Sequence, residues 1–176
     1  MSITPLTQAI TLAGDSTIAL HLISAGADVN RSSIDDEAPL VMATASRAHD
    51  VIEHLLARGA DPNVQEKLIG ATPLMIVLYK ESDHAKALKT ARRLVEYGAQ
   101  IKAVTHTGHT TLMYAAKSKN KAAMEWLLAA GVDANKVSDD GETAETILTK
   151  KPPPGYAELI EMFDRLETAA KPRRPQ

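Results

Sequence analysis

Two short landmarks recur along the chain at nearly one spacing, and that recurrence restricts the fold more than any other feature. Glycine turns read GADVN at 26–30, GADPN at 59–63, GAQIK at 98–102 and GVDAN at 131–135, so the glycines are 33, 39 and 33 residues apart. Between them runs a second landmark: TPL at 4–6, APL at 38–40, TPL at 72–74, TTL at 110–112 and TAE at 143–145, with intervals of 34, 34, 38 and 33. Two independent signals sharing one period define an internal repeat, and a period of this size implies an array of stacked units.

Each unit predicts a pair of helices. A threonine hydroxyl can accept a bond from an otherwise orphaned N–H of the first turn, and proline at the first helical position has no donor to lose. Apolar residues follow at helical spacing: Leu6, Ala9 and Ile10; Leu40 and Ala43; Leu74, Val77 and Leu78; Leu112, Ala115 and Ala116. A second apolar stretch closes each unit with Leu22-Ile23, Leu55-Leu56, Leu94-Val95 or Leu127-Leu128, and the glycine comes three residues after each pair. Glycine enters the left-handed region at little cost, so it ends the helix and turns the chain. One such unit is too small to bury its apolar stripe alone, whereas stacked units bury one another's.

Bulk properties narrow the function. The 176 residues carry a formal net charge of −2, which steers the chain toward neither nucleic acid nor anionic lipid. No apolar run approaches the ~20 residues of a membrane span, and the N-terminus lacks the basic and long apolar segments of a secretory signal. With zero cysteines there is no disulfide and no thiolate chemistry. A cytoplasmic location fits these features. Aromatic residues are only 3% of the chain, too few for a base-stacking platform.

The landmarks resemble the ankyrin repeat family over nearly the whole chain, most cleanly at 33–65 and from Thr105 through Asn135. The resemblance implies an all-α solenoid of stacked helix-turn-helix units joined by short β-turn fingers. It divides the chain into one domain at 1–168, with units of about 1–32, 33–66, 67–104, 105–137 and a degenerate fifth at 138–168, followed by a flexible basic tail at 169–176. Three departures stand out. The histidine that usually follows T-P-L is replaced by Thr7, Val41, Met75 and Met113, so its hydrogen bonds must be lost or replaced. The third unit holds about five extra residues within 79–93, which predicts longer helices or a longer loop between them. In the last unit Pro152–Pro154 break the chain before an amphipathic helix whose outer face carries Glu158, Glu161, Asp164, Arg165 and Glu167.

The resemblance also implies a binding surface: the fingers ahead of each T-P-L and the first helices line a concave face. Finger-tip candidates are Ile34, Asp35 and Glu37; Leu68 and Ile69; His106, Thr107 and His109; and Asp139, Asp140 and Glu142. Matching first-helix positions are Ala45, Ser46, Tyr79, Lys80, Met113, Lys117 and Ser118. Leu68 and Ile69 are aliphatic where such fingers are usually polar. They either meet a partner or fold back on the neighbouring finger or the inserted segment. Met113 suits either the interface or the core. The acidic ends at 35–37 and 139–142 flank a middle with Lys80, His106, His109 and Lys117, a pattern that would select a partner of mixed charge.

Other chemistries find little support. His106 and His109 flank a Thr-Gly turn, but two histidines without further ligands make no stable metal site. His21, His54, Arg93 and Trp126 hold equivalent places in successive second helices, forming a column with polar ends toward water. No phosphate loop, G-x-S-x-G or H-E-x-x-H occurs. The expected molecule is therefore a monomeric, non-enzymatic protein-binding module without cofactor. With no further domain in sight it should act by covering a partner, as an inhibitor or immunity-type protein does, or else by bridging two partners as an adaptor. A small-ligand or enzyme role would need a deep pocket with convergent polar groups.

Overall fold

The computed structural model describes residues 4–12, 16–32, 37–150 and 154–170, with residues 12 and 164–170 described through their backbone alone. Ten helices occur among them: α1 (Pro5–Leu12), α2 (Thr17–Ser24), α3 (Pro39–Ala45), α4 (His49–Ala57), α5 (Pro73–Lys80), α6 (His84–Glu96), α7 (Thr111–Lys117), α8 (Lys121–Ala129), α9 (Ala144–Thr149) and α10 (Ala157–Ala170). The first helices of the pairs stack in one row, α1 on α3, α3 on α5, α5 on α7 and α7 on α9. The second helices stack in another, α2 on α4, α4 on α6 and α6 on α8. The result is a two-layer, all-α solenoid. Among the described residues β-structure is limited to an isolated antiparallel bridge between Val104 and Thr110.

The first helices start at the landmarks, and three of the five landmark residues cap them, Ala38 ahead of α3 having no hydroxyl to do so. Thr4, Thr110 and Thr143 accept the N–H of Thr7, Met113 and Thr146 at 3.2, 3.3 and 3.1 Å. Thr72 does not cap α5, and its buried hydroxyl has no partner. Two units replace the missing histidine. The Thr7 hydroxyl donates to the Thr4 carbonyl at 2.9 Å, and the Met113 Sδ accepts the Thr110 N–H at 3.4 Å. Val41 has no polar atom to offer.

At the other end of each pair the chain closes in a Schellman turn. After α4, the Gly59 N–H reaches the Leu56 carbonyl at 3.0 Å and the Ala60 N–H reaches Leu55 at 3.0 Å, with Gly59 at φ +82°. The same pair of bonds follows α2, α6 and α8. Two first helices end in the same way without glycine, through Arg47 at φ 57° and Lys119 at φ 56°.

The core runs continuously between the rows. Leu6, Leu40, Leu74 and Leu112, one from each T-P-L-type landmark, are buried, and so are Ile23, Leu55, Leu94 and Leu127 from the closing pairs. Ala43, Ala115 and Ala116 are buried where the first helices approach closely. The third unit takes up its extra residues within helices: α6 has 13 residues against 9 in α4 and α8, and α5 has 8 against 7 in α3 and α7.

That unit also leaves α5 differently, in the extended backbone of Glu81. Glu81 turns inward, where its Oε2 meets His49 Nε2 at 2.7 Å and its Oε1 accepts the Asp83 N–H at 3.0 Å, while His49 Nδ1 contacts Thr90 Oγ1 at 2.8 Å. Both partners of the His49–Glu81 contact are largely buried, at 14% and 8% side-chain exposure. Burial opposes ionisation of Glu81, but the Asp83 N–H and the His49 ring together outweigh it and hold the carboxyl below its ordinary value.

On the outer layer His21 and His54 each use Nδ1 on the carbonyl four residues back in their own helix, at 2.8 Å in both cases. Arg93, next in that column, reaches across to Glu53 of α4 at 3.1 Å. At the C-terminal end Leu159 and Phe163 are buried, whereas Glu158 and Glu161 face outward. The side chains of Asp164, Arg165 and Glu167 and the segment 171–176 lie outside the described residues, and α10 runs on to Ala170. Among the described residues no helix is long and apolar enough to cross a membrane.

Candidate functional site

The fingers are built by carboxylates and by one another. Ahead of α5, the Glu66 carboxylate accepts the N–H groups of Leu68 at 3.1 Å and Ile69 at 2.5 Å, while the Gly70 N–H closes back on the Glu66 carbonyl at 3.0 Å. This turn pushes Leu68 out to 85% exposure and leaves Ile69 at 46%. Neither side chain folds away as the packing alternative would have it, and the insertion sits in the opposite layer. The backbone does bind the next finger, because the His106 N–H donates to the Ile69 carbonyl at 2.8 Å. The His106 ring lies against Gly70, where an added Cβ would meet it at 2.5 Å. The Asp139 N–H donates to the Thr107 carbonyl at 3.0 Å and continues the row.

Between these fingers and the first helices lies a groove of about 480 Å³. Glu37, Glu66, Ile69 and Ala71 line it from the fingers; Val41, Met42 and Ala45 from α3; Ile76, Tyr79 and Lys80 from α5; and Tyr114 and Lys117 from α7. Tyr79 and Tyr114 meet edge to face, with ring centroids 5.9 Å apart and planes at 88°. The Lys117 ammonium lies 5.7 Å from the centroid of the Tyr114 ring. Burial, the nearby Glu66 charge and Tyr79 push the Tyr114 hydroxyl above its ordinary value. The groove takes two carboxylates from the fingers and two lysines from the last turns of α5 and α7, and the rest of its lining is largely apolar.

Of the candidates read from sequence, Glu37, Ala45, Ile69, Tyr79, Lys80 and Lys117 come together in this groove, and Leu68 is exposed next to Ile69. Ile34 and Asp35 lie outside the described residues. His106 is on the surface beside the same finger. His109 and Met113 are corrections: both are buried, at 7% and 0% exposure, and neither can touch a partner. The finger's return strand, bridged at Val104 and Thr110, turns the His109 ring inward. Its Nδ1 meets Thr107 Oγ1 at 3.0 Å and its ring stands edge-on to Tyr114. Its Nε2 lies 3.5 Å from Glu142 Oε2, too long for a good hydrogen bond. Glu142 is engaged chiefly by Lys150, which holds its carboxyl below the ordinary value. Among the described residues no three potential metal ligands gather.

The groove residues missed from sequence are Val41, Met42, Glu66, Ala71, Ile76 and Tyr114, and of these Tyr114 meets two predicted residues, Tyr79 and Lys117. Aligned on their T-P-L-type landmarks, Ala45, Tyr79 and Lys117 share one position, and one helical turn earlier stand Met42, Ile76 and Tyr114 on the same face. Met113 precedes Tyr114 by one position and therefore points into the core.

The sequence model of the ankyrin repeat family, in three copies, matches residues 40–139, more than half of the chain. The chain belongs to the ankyrin repeat family. Relatives include the Protein lin-12 of Caenorhabditis elegans, 27% identical over 153 residues and matched across 62% of this chain but 11% of its own length. The Ankyrin repeat and SOCS box protein 6 of Homo sapiens is 27% identical over 134 residues, covering 72% of this chain and 31% of that protein. An ankyrin repeat protein of Rickettsia felis is 36% identical over 63 residues, 36% of this chain and 27% of that one. This ankyrin array thus spans less than a third of the length of each of these relatives. Ankyrin repeats serve in general as protein-interaction modules rather than as enzymes.

Proposed function

We propose that this ankyrin array binds a partner protein on its concave face and masks that partner's surface, in the manner of an inhibitor or immunity-type protein. The observation that carries the reading is the continuity of exposed apolar groups there. Leu68, Ile69 and Tyr79, at 85%, 46% and 51% exposure, adjoin an apolar groove already open in the free protein. Burying a large aliphatic side chain against a partner contributes about 1.5–3 kcal/mol, and a groove built on packed helices avoids part of the ordering cost of association. In this reading the chain works as a cytoplasmic monomer with one main partner.

The test is affinity capture from native lysate with the wild-type chain and with the double variant Leu68→Glu, Ile69→Glu, followed by cross-linking of the captured protein. One stoichiometric partner, lost with the variant while the melting temperature holds, supports masking by this face. Capture that survives the variant contradicts it. Two partners with separable footprints would instead mark an adaptor.

A further inference from the structure

Resting on the docking role of the concave groove, we infer that its occupant is an extended segment of the partner protein. A lysine or arginine of that segment seats against Glu37 and Glu66, and an acidic residue three or four positions away seats between Lys80 and Lys117. The groove carries carboxylates from its fingers and lysines from the last turns of α5 and α7. On the finger side Glu37 uses Oε1 on the Lys67 N–H at 3.2 Å, but its Oε2 is buried with no donor at all. It is the one carboxylate oxygen left in that condition among the described residues. A desolvated anionic oxygen without a donor is costly, and a partner's ammonium or guanidinium seated in the groove beside this carboxylate offsets its charge without having to reach the enclosed oxygen. Glu66 stands next to it with its own oxygens turned to the finger backbone, so it adds negative charge without competing for the donor.

In the last turns of α5 and α7, Lys80 and Lys117 are exposed and neither forms an ion pair among the described residues, although Lys117 lies close enough to Glu142 to help hold that carboxyl below its ordinary value. Glu66 precedes α5 and Lys80 closes it, and the helix itself, 8 residues, is about 12 Å long at helical rise. An extended chain covers that distance in three or four residues at about 3.3 Å each. In the same groove Val41 and Ile76 offer an apolar floor, and the half-exposed Tyr79 ring accepts the aliphatic stem of the basic side chain. A polyanion such as RNA would meet the carboxylates with repulsion and gain only two lysines.

The experiment is selection of phage-displayed random dodecamers against the full chain, repeated on Glu37→Gln, on the pair Lys80→Glu with Lys117→Glu, and on Tyr79→Ala, each checked for helicity. Glutamine keeps the size of Glu37 and its acceptor for Lys67. The expected result is enrichment of a basic residue with an acidic one three or four positions away. Glu37→Gln then loses the basic preference and binds the selected segments about ten-fold or more weakly, while the double lysine variant loses the acidic preference. Segments that bind through Tyr79 but show no basic requirement, or the same requirement on Glu37→Gln, overturn the inference and leave the concave face as a docking site. Segments indifferent to Tyr79→Ala, or recovery of none, overturn both.

Discussion

Asn63 joins two repeats: its Nδ2 donates to the Gly98 carbonyl at 3.0 Å while its Oδ1 accepts the Gln100 N–H at 2.8 Å. Asn30 makes the same pair of bonds one repeat earlier, to Gly59 at 3.0 Å and Asp61 at 2.9 Å. At the third turn the position holds Lys102, which has donors but no acceptor for the Asp133 N–H. A cleft of about 260 Å³ opens there, lined by Lys102, Val104, Gly131 and Asp133 among others.

Restoring the ladder should therefore stabilise the array. Lys102→Asn is expected to raise stability by about 1–2 kcal/mol, the net worth of two hydrogen bonds, and Asn63→Ala to lower it by a similar amount. Urea unfolding followed by helicity checks both. A lysine variant no more stable than the wild type would show that the third turn does not need the ladder.

The turn backbones predict changes of opposite sign. Gly59 sits at φ +82° with open space around its Cα, so Gly59→Val costs strain alone, more than about 1 kcal/mol. Lys119 occupies the same left-handed region at φ 56° with a Cβ it must accommodate. Lys119→Gly is expected to gain about 0.5–1 kcal/mol, relief of strain offsetting the added chain entropy. Thermal unfolding of the two variants should shift in opposite directions.

Glu81 makes stability depend on acidity. Its carboxyl titrates below the ordinary 4.5 in the folded chain, so the unfolded chain takes up the proton first as pH falls. The stabilisation is complete above about 4.5 and is lost as pH drops through the lower folded value. Glu81→Gln should flatten this acid limb and, at neutral pH, cost about 1–3 kcal/mol because the largely buried His49 ring loses its carboxylate partner. Unfolding free energy measured as a function of pH in both proteins decides it.

Met113 and Tyr79 separate core from surface. Met113→Ala should cost about 2–5 kcal/mol, as for a fully buried large side chain. Tyr79→Ala should cost only about 1 kcal/mol, mainly its edge contact with Tyr114. Equal losses from the two would contradict their placement.

The helix pairs, the glycine stops and the leucine core were legible because each is a local signal repeated in register. The fate of the insertion was legible only to within two outcomes, and α6 absorbed most of it by running four residues longer than α4. What lay hidden depends on pairs distant in sequence. His49, Glu81 and Thr90 form one buried cluster across two repeats, and no period links them. Met113 was open between core and face, and the one-residue step to Tyr114 decides it, since adjacent helical residues point about 100° apart. His109 reads as a finger tip until the finger's hydrogen bonds, from the Thr105 N–H to the His109 carbonyl at 3.0 Å, turn its ring inward.

The most direct measurement of the docking claim is hydrogen–deuterium exchange of the full chain, free and bound to its captured partner. The account predicts slowed exchange in the finger at 66–71 and in α3, α5 and α7, with the second helices α4, α6 and α8 unchanged. Protection confined to those second helices, with the fingers and first helices exchanging as in the free protein, would contradict it.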